Sequence, residues 1–136
     1  MIDQSSMKKC RLHTLIAAIT LFALYSFTIF FSNNAYANMP PQEASLINEL
    51  LNTVENSEAV FIRNNTEHSP KEAVKHLKMK LNRAGSRIKT ANDFIRVLAT
   101  KSSFSGKAYM LRFSDGTMVE SGLWFTNKLL KLRNTE

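Results

Sequence analysis

The histidines are the first candidates for chemistry, because an imidazole takes up and releases protons near neutral pH. His76 lies between Glu72 and Lys80 at steps of four residues, a spacing that places the three side chains on one ridge of a helix. There Glu72 could orient His76 as a general base. The simpler interpretation is a boundary histidine that is hydrogen-bonded to Glu72 or to a backbone carbonyl, since the sequence places no nucleophile beside the pair.

A second candidate is the small-residue segment 101–107, which we call the serine loop. Its serines lie between Lys101 and Lys107, and a serine beside a lysine can serve as a hydrolytic pair. The flanking residues match neither the serine hydrolase motifs nor the phosphate-binding loop. Two alternatives remain: hydroxyl groups that cap the preceding helix, or an anion nest formed by Ser105, the Gly106 amide and Lys107.

Arg63 is the third candidate, because it follows an apolar run and precedes an Asn pair. This position predicts a buried stem and a guanidinium held by an acidic partner such as Glu72 or Asp93. A role in binding a ligand carboxylate is the alternative, since the guanidinium fork suits planar anions. If the serine loop forms the anion nest, Arg63 or Lys80 would supply the opposite wall of that site, and Tyr109 would supply a flat apolar side.

Together these candidates predict a binding site rather than a catalytic one. The predicted binding residues are Arg63, His76, Lys80, Ser105, Gly106, Lys107 and Tyr109. No catalytic residue, metal site or cofactor is predicted. The alternative is a small hydrolase-like enzyme that would use His76, Arg63 and residues 102–107.

The element that must position most of these residues is a helix predicted over Pro70–Ala84. Ser69 and Glu72 have the spacing of a capping box, and Pro70 suits the first helical position. An apolar stripe at three- and four-residue steps follows the cap: Val74, Leu77, Leu81 and Ala84. Gly85 then supplies a left-handed stop.

Three further helices are predicted on either side of this one. The first follows Pro40 and ends near Ser57, and its apolar face is formed by Ala44, Ile47, Leu50, Leu51 and Val54. The third begins at Thr90, whose hydroxyl would cap the amide of Asp93, and its stripe is Ala91, Phe94, Ile95 and Leu98. Ser121 would cap the last helix, with apolar cover from Trp124, Phe125, Leu129 and Leu132.

The remaining segments predict extended structure. The apolar run 59–62 predicts one short buried strand, and Asn64 and Asn65 turn the chain after it. Residues 109–113 and 118–120 flank a Ser-Asp-Gly-Thr turn, which is typical of an antiparallel hairpin. The fold class is therefore α+β: a small, mostly helical domain with about four helices and a short antiparallel hairpin.

Residues 1–37 have the three parts of a secretory signal peptide. A basic amino-terminal region precedes an apolar core, and an Ala-Tyr-Ala site ends at Ala37. Cleavage there leaves one periplasmic domain over residues 38–136. The alternative is an uncleaved inner-membrane anchor, because the apolar run approaches the roughly 18 residues that span a bilayer. By the positive-inside rule, the basic amino-terminal region stays in the cytoplasm, so the domain is expected to be exported in either case.

The single cysteine supports the same division of the chain. Cys10 precedes the apolar core, so the exported domain has neither a disulfide nor a thiolate zinc site. Translation can start at Met1 or at Met7, since the sequence after Met7 is itself a usual amino-terminal region.

The charge distribution suggests the kind of partner. The formal net charge is +7, and residues 71–89 carry many bases and one acid, Glu72. The bases are Lys71, Lys75, Lys78, Lys80, Arg83, Arg87 and Lys89. Nucleic acid is not expected outside the cytoplasm, and no aromatic residues alternate with these bases. An anionic ligand, lipid headgroups or an acidic periplasmic protein fits better.

Several motifs resemble one known family. The FIRN segment, the EAVKHLKMKL helix, the ANDFI helix start and the SSFSGKAY segment occur in this order between residues 47 and 109. The chain resembles the YfeK-like family of small exported proteins of Gram-negative bacteria, a family of unknown function. The resemblance implies a shared fold and a periplasmic location but no activity. Family members often have Gly where this chain has Asn65, which implies a left-handed turn residue.

Overall fold

The structure, a computed structural model, describes residues 39–135. The predicted signal peptide over residues 1–37, the alternative of a membrane anchor and both start positions lie outside the described residues. Within the described range, no helix is long and apolar enough to cross a membrane.

The first helix, α1, spans Pro41–Glu55. Pro41 occupies the first turn, where its missing N–H leaves no hydrogen bond unmade. The buried face follows the predicted spacing: Leu46, Ile47, Leu50, Leu51 and Val54. Beyond the helix end, the Ser57 hydroxyl donates to the carbonyl of Val54 at 2.8 Å, so the chain is held for one more turn. The first predicted helix is confirmed.

The chain then forms a hairpin where the apolar pattern predicted a single strand. Strand β1 spans Val60–Arg63 and strand β2 spans Thr66–His68. Asn64 and Asn65 connect them with φ values of 52° and 68°, the left-handed geometry of a two-residue hairpin turn. The predicted turn is confirmed, but the prediction of one isolated strand is wrong. Strand β2 escaped detection because its residues are polar and mostly exposed.

The second hairpin lies where the Ser-Asp-Gly-Thr turn predicted it. Strand β3 spans Met110–Arg112 and strand β4 spans Met118–Glu120. In the turn, the Asp115 carboxylate accepts the Thr117 amide at 2.8 Å, and Gly116 has a φ of 83°, which favours glycine.

The two hairpins join into one antiparallel sheet of order β2-β1-β3-β4. Phe61 pairs with Leu111, and Leu111 pairs with Val119. Phe61 and Leu111 are buried, and Val119 packs against the same core. The helices cover this face, since Phe61 meets Trp124 of the last helix edge-on at 6.2 Å between ring centroids.

Helix α2 spans Pro70–Ala84, as predicted. The Ser69 amide donates to the Glu72 carboxylate at 2.8 Å, and the Ser69 hydroxyl accepts the Glu72 amide at 3.3 Å. The capping box is thus formed. Gly85 ends the helix at a φ of 53°, although its ψ of −132° lies outside the left-handed helical region.

The third helix is not a regular α-helix throughout. Helix α3 spans Ala91–Phe94, and the Thr90 hydroxyl accepts the Asp93 amide at 3.0 Å, as predicted. The chain then widens into a π-helical segment, Ile95–Ala99, which we call the π turn. The Thr100 hydroxyl donates to the Ile95 carbonyl at 2.8 Å. The predicted apolar stripe is buried here, but its spacing did not indicate the wider turn.

The last helix, α4, spans Ser121–Arg133. Ser121 was predicted to be the cap, but it is the first helical residue, and Glu120 precedes it without a side-chain cap. Ser121 is buried, and its amide donates to the Tyr109 carbonyl at 2.8 Å. The described residues thus contain four helices and a four-stranded antiparallel sheet, which confirms the α+β fold class.

Candidate functional site

A small cavity lies between the β1–β2 hairpin, α2, the π turn and the start of α4. It encloses about 60 Å³. We call it the basic cavity, after its polar lining: Arg63, His68, His76, Lys80, Tyr109 and Ser121. The rest of the lining is apolar: Phe61, Ile62, Ala73, Leu77, Ala99, Met110 and Phe125. Among the described residues, no carboxylate lines it.

The hairpin explains why Arg63 and His68 meet here. Alternate residues of a strand face the same side, and directly paired residues of an antiparallel hairpin share a face. Arg63 is two residues beyond Phe61, and His68 is the direct partner of Phe61. All three side chains therefore point toward the helices. His68 was missed in the sequence because recognising this face requires strand β2.

Arg63 lacks the acidic partner that was predicted for it. The Glu72 carboxylate is bound by Ser69, and Asp93 pairs with Arg96 at 2.9 Å. The predicted ion pair is therefore wrong. Within the described part of the chain, the buried Nε atom of Arg63 has no hydrogen-bond acceptor. Such a buried donor costs about 1–3 kcal/mol when it is left unpaired.

The two histidines are in direct contact. The His68 and His76 rings lie 5.4 Å apart between centroids, at an interplanar angle of 72°. Burial lowers the pKa of His76 below its ordinary value of 6.5, and the charges of His68 and Arg63 lower it further. The Glu72 charge acts in the opposite direction. No hydrogen bond joins Glu72 to His76 in the described structure, so the proposed orienting pair is not formed.

Lys80 is fixed at the inner wall by two acceptors. Its ammonium group donates to the Leu98 carbonyl at 2.8 Å and to the Tyr109 hydroxyl at 2.9 Å. Leu98 belongs to the π turn, which presents this carbonyl to the cavity side of the helix. An ammonium group has three N–H donors, and two of them are used in this way. The structure thus brings together four predicted site residues: Arg63, His76, Lys80 and Tyr109.

The serine loop lies elsewhere. The Ser105 hydroxyl donates to the side chain of Asn64 at 2.6 Å, and the Lys107 ammonium lies 3.4 Å from the Asn65 side-chain oxygen. The Gly106 amide is already bonded to the Ser102 carbonyl at 2.9 Å. Ser105 and Lys107 therefore contact the β1–β2 turn, and no residue of the serine loop lines the basic cavity beside Arg63 and Lys80. Anion binding by this loop stays a prediction that is separate from the cavity.

Comparison with known proteins identifies the family. The model of a family of unknown function (DUF5329) matches residues 41–133. The chain belongs to this family. The uncharacterized protein YfeK of Salmonella typhimurium is 41% identical over 76 residues, which cover 55% of this chain and 63% of that protein. The match thus spans less than two thirds of that relative. The YfeK-like resemblance is confirmed, and no solved structure matches the chain.

Proposed function

We propose that this protein is a non-enzymatic binding protein that holds a small anion in the basic cavity. The observation that carries the proposal is the buried Arg63 Nε, which has no protein acceptor in the described chain. An anion at this place would supply the missing acceptor, in a cavity whose lining includes further basic side chains and no carboxylate among the described residues. Charge-assisted hydrogen bonds of this kind are about twice as strong as neutral ones.

The alternative of a small hydrolase has less support. An activated serine needs a base within hydrogen-bond distance. None of the serines of the loop lines the cavity, and in the described residues neither histidine ring is hydrogen-bonded to Ser121 or Tyr109, which do line it. The cavity therefore has groups that attract an anion but no assembled nucleophile.

Anion titration of the purified protein tests the proposal. The readout is the Nε–Hε resonance of Arg63 by NMR, with fluorescence of Trp124, the single tryptophan, as a second probe. Trp124 packs edge-on against Phe61 at 6.2 Å and Phe125 at 5.0 Å. We expect a saturable shift on titration with acetate or phosphate.

Two matched variants separate the cavity from general charge. Arg63→Gln should abolish the saturable response, whereas Arg83→Gln removes the same charge from the outer face of α2 and should leave the response intact. If the two variants weaken the response to the anion equally, and the NMR shifts are spread over every lysine, the effect is one of net charge. That result would contradict the proposal.

A second surface could bind an acidic partner protein. A groove beside α2 is lined by Lys71, Lys75, Lys78 and Arg83, with Glu55 as its acid. An acidic peptide bound there would be released by Arg83→Gln and not by Arg63→Gln. The same pair of variants therefore distinguishes this partner from the small anion.

We also propose that the protein is exported and acts in the periplasm. The support is the sequence of residues 1–37, with its basic region, apolar core and Ala-Tyr-Ala site. The intact mass of the protein recovered from a periplasmic extract should correspond to a chain that starts at Asn38. Full-length chain in the membrane fraction would favour the uncleaved anchor instead.

A further inference from the structure

We infer that the anion bound in the basic cavity is a short-chain carboxylate, with its charged end at Arg63 and its hydrocarbon against the apolar wall. This inference rests on the proposed function and adds the chemical class of the ligand. It follows from three properties of the cavity: the uneven distribution of polar groups, its volume and the geometry of the available donor.

The polar groups do not surround the cavity. Carbon atoms of Phe61, Leu77 and Phe125 form much of its wall, beside the basic groups. A phosphate or sulfate ion presents oxygens in every direction, so some of them would face carbon without a hydrogen bond. An unpaired buried polar group is costly. A carboxylate places both oxygens at one end and carbon at the other, which matches such a wall.

The volume limits the size of the hydrocarbon. The cavity has a volume of about 60 Å³, whereas the apolar cavity that benzene fills has a volume of about 150 Å³. An aromatic ring is therefore too large to be enclosed. A carboxylate followed by a few carbon atoms is the size that fits.

The donor geometry also favours a carboxylate. The Nε and one terminal nitrogen of a guanidinium form two parallel donors, which suit the two oxygens of a planar carboxylate. Arg63 has its Nε free of protein acceptors in the described chain. Lys80 cannot replace this fork, because two of its donors are held by Leu98 and Tyr109.

The test is a ligand series measured by calorimetry on the purified protein: acetate, propionate, butyrate, benzoate and inorganic phosphate. We expect affinity to rise about fourfold for each methylene group that enters the cavity, from the free energy of burying such a group. Benzoate and phosphate should bind more weakly than butyrate. The Arg63 Nε resonance should shift with each ligand that binds.

Two variants examine the two ends of the ligand separately. Ala73→Leu places extra carbon atoms in the cavity. It should therefore abolish the rise in affinity from acetate to butyrate. Arg63→Lys keeps the charge but lacks the fork, and it should weaken every carboxylate at least tenfold. Thermal unfolding verifies that each variant is folded, and Ala99→Val replaces Ala73→Leu if that variant does not fold.

The outcomes distinguish the inference from the proposed function. Phosphate binding as tight as acetate binding, with no gain along the series, would overturn the carboxylate assignment and leave an anion site. If no anion shifts the Arg63 resonance, both the inference and the proposed function are wrong.

Discussion

At the scale of single residues, Arg63 differs in its surroundings from arginines of this chain that form ion pairs. Arg112 pairs with Glu67 at 2.6 Å and Arg96 pairs with Asp93 at 2.9 Å; Arg96 is largely exposed and Arg112 is partly exposed. Exposed pairs of this kind contribute about 0–1 kcal/mol to stability. Arg63 instead has a buried donor without a protein acceptor in the described chain. Substitution of Arg63 should therefore weaken ligand binding more than it lowers the free energy of unfolding.

His76 makes stability depend on pH in a predictable direction. Its pKa is lowered in the folded protein from the ordinary value of 6.5, so the unfolded chain takes up the proton more readily. Stability is therefore retained above that value and falls as the pH decreases below it. Between about pH 7.5 and about pH 5.5, the free energy of unfolding should decrease more in the wild type than in His76→Gln.

Urea unfolding at a series of pH values measures this difference. Lys78→Gln is the matched control, because it alters an exposed residue of the same helix and should retain the wild-type pH profile. Parallel profiles for the wild type and His76→Gln would show that burial and the neighbouring charges do not act on His76 as described.

At the scale of elements, the β1–β2 hairpin and the π turn create the site. The hairpin directs Arg63 and His68 to one face, and the π turn offers the Leu98 carbonyl to Lys80. Short π-helical segments occur often at functional sites. The position of Lys80 thus depends on an irregular turn, and the positions of Arg63 and His68 depend on a hairpin with a two-residue turn.

The hairpin turn gives a prediction for stability. Asn65 has a φ of 68°, which glycine adopts without strain and alanine does not. Asn65→Gly should therefore be more stable than Asn65→Ala by about 1 kcal/mol, measured by thermal or urea unfolding. Asn82 is exposed within α2 and serves as the control position. There Asn82→Ala should be more stable than Asn82→Gly by about 1 kcal/mol, because glycine is unfavourable inside a helix. The same order of glycine and alanine at the two positions would contradict the turn geometry.

At the scale of the whole molecule, Glu43 connects helices that are distant in the sequence. Its carboxylate accepts the Ala91 amide at the start of α3 at 2.6 Å and a guanidinium N–H of Arg133 in α4 at 3.3 Å. Both contacts run from the first turn of α1. This side chain therefore joins three helices, and its role is not visible in the local sequence.

Removal of this connection should destabilise the fold. Glu43→Ala should lower the free energy of unfolding by about 1–3 kcal/mol, because it leaves a partly buried amide without its charged acceptor. Glu49→Ala makes the same change at an exposed position of α1 and should stay within about 0.5 kcal/mol of the wild type. Equal losses in the two variants would mean that the contacts of Glu43 contribute little.

The elements that local sequence determined are those stabilised within a few residues. Ser69 and Glu72 satisfy each other across one helical turn, so the start of α2 could be read directly. Thr90 and Asp93 mark the start of α3 for the same reason. The Ser-Asp-Gly-Thr segment likewise closes the second hairpin through bonds among near neighbours, since Asp115 accepts the Thr117 amide and Phe113 accepts the Gly116 amide. In these cases the interacting atoms are near neighbours in the chain, and residue type is sufficient.

The site itself was decided by tertiary structure. Arg63, His76, Lys80 and Tyr109 could be proposed from their chemistry, but they meet because β1 pairs with β3 and α2 packs against the hairpin. His68 joins them through strand β2, which carries no apolar pattern. The partners proposed for Arg63 are taken by nearer neighbours, and the serine loop is held by the Asn turn. Contacts between distant segments depend on which groups remain unpaired after folding, and local sequence does not show that.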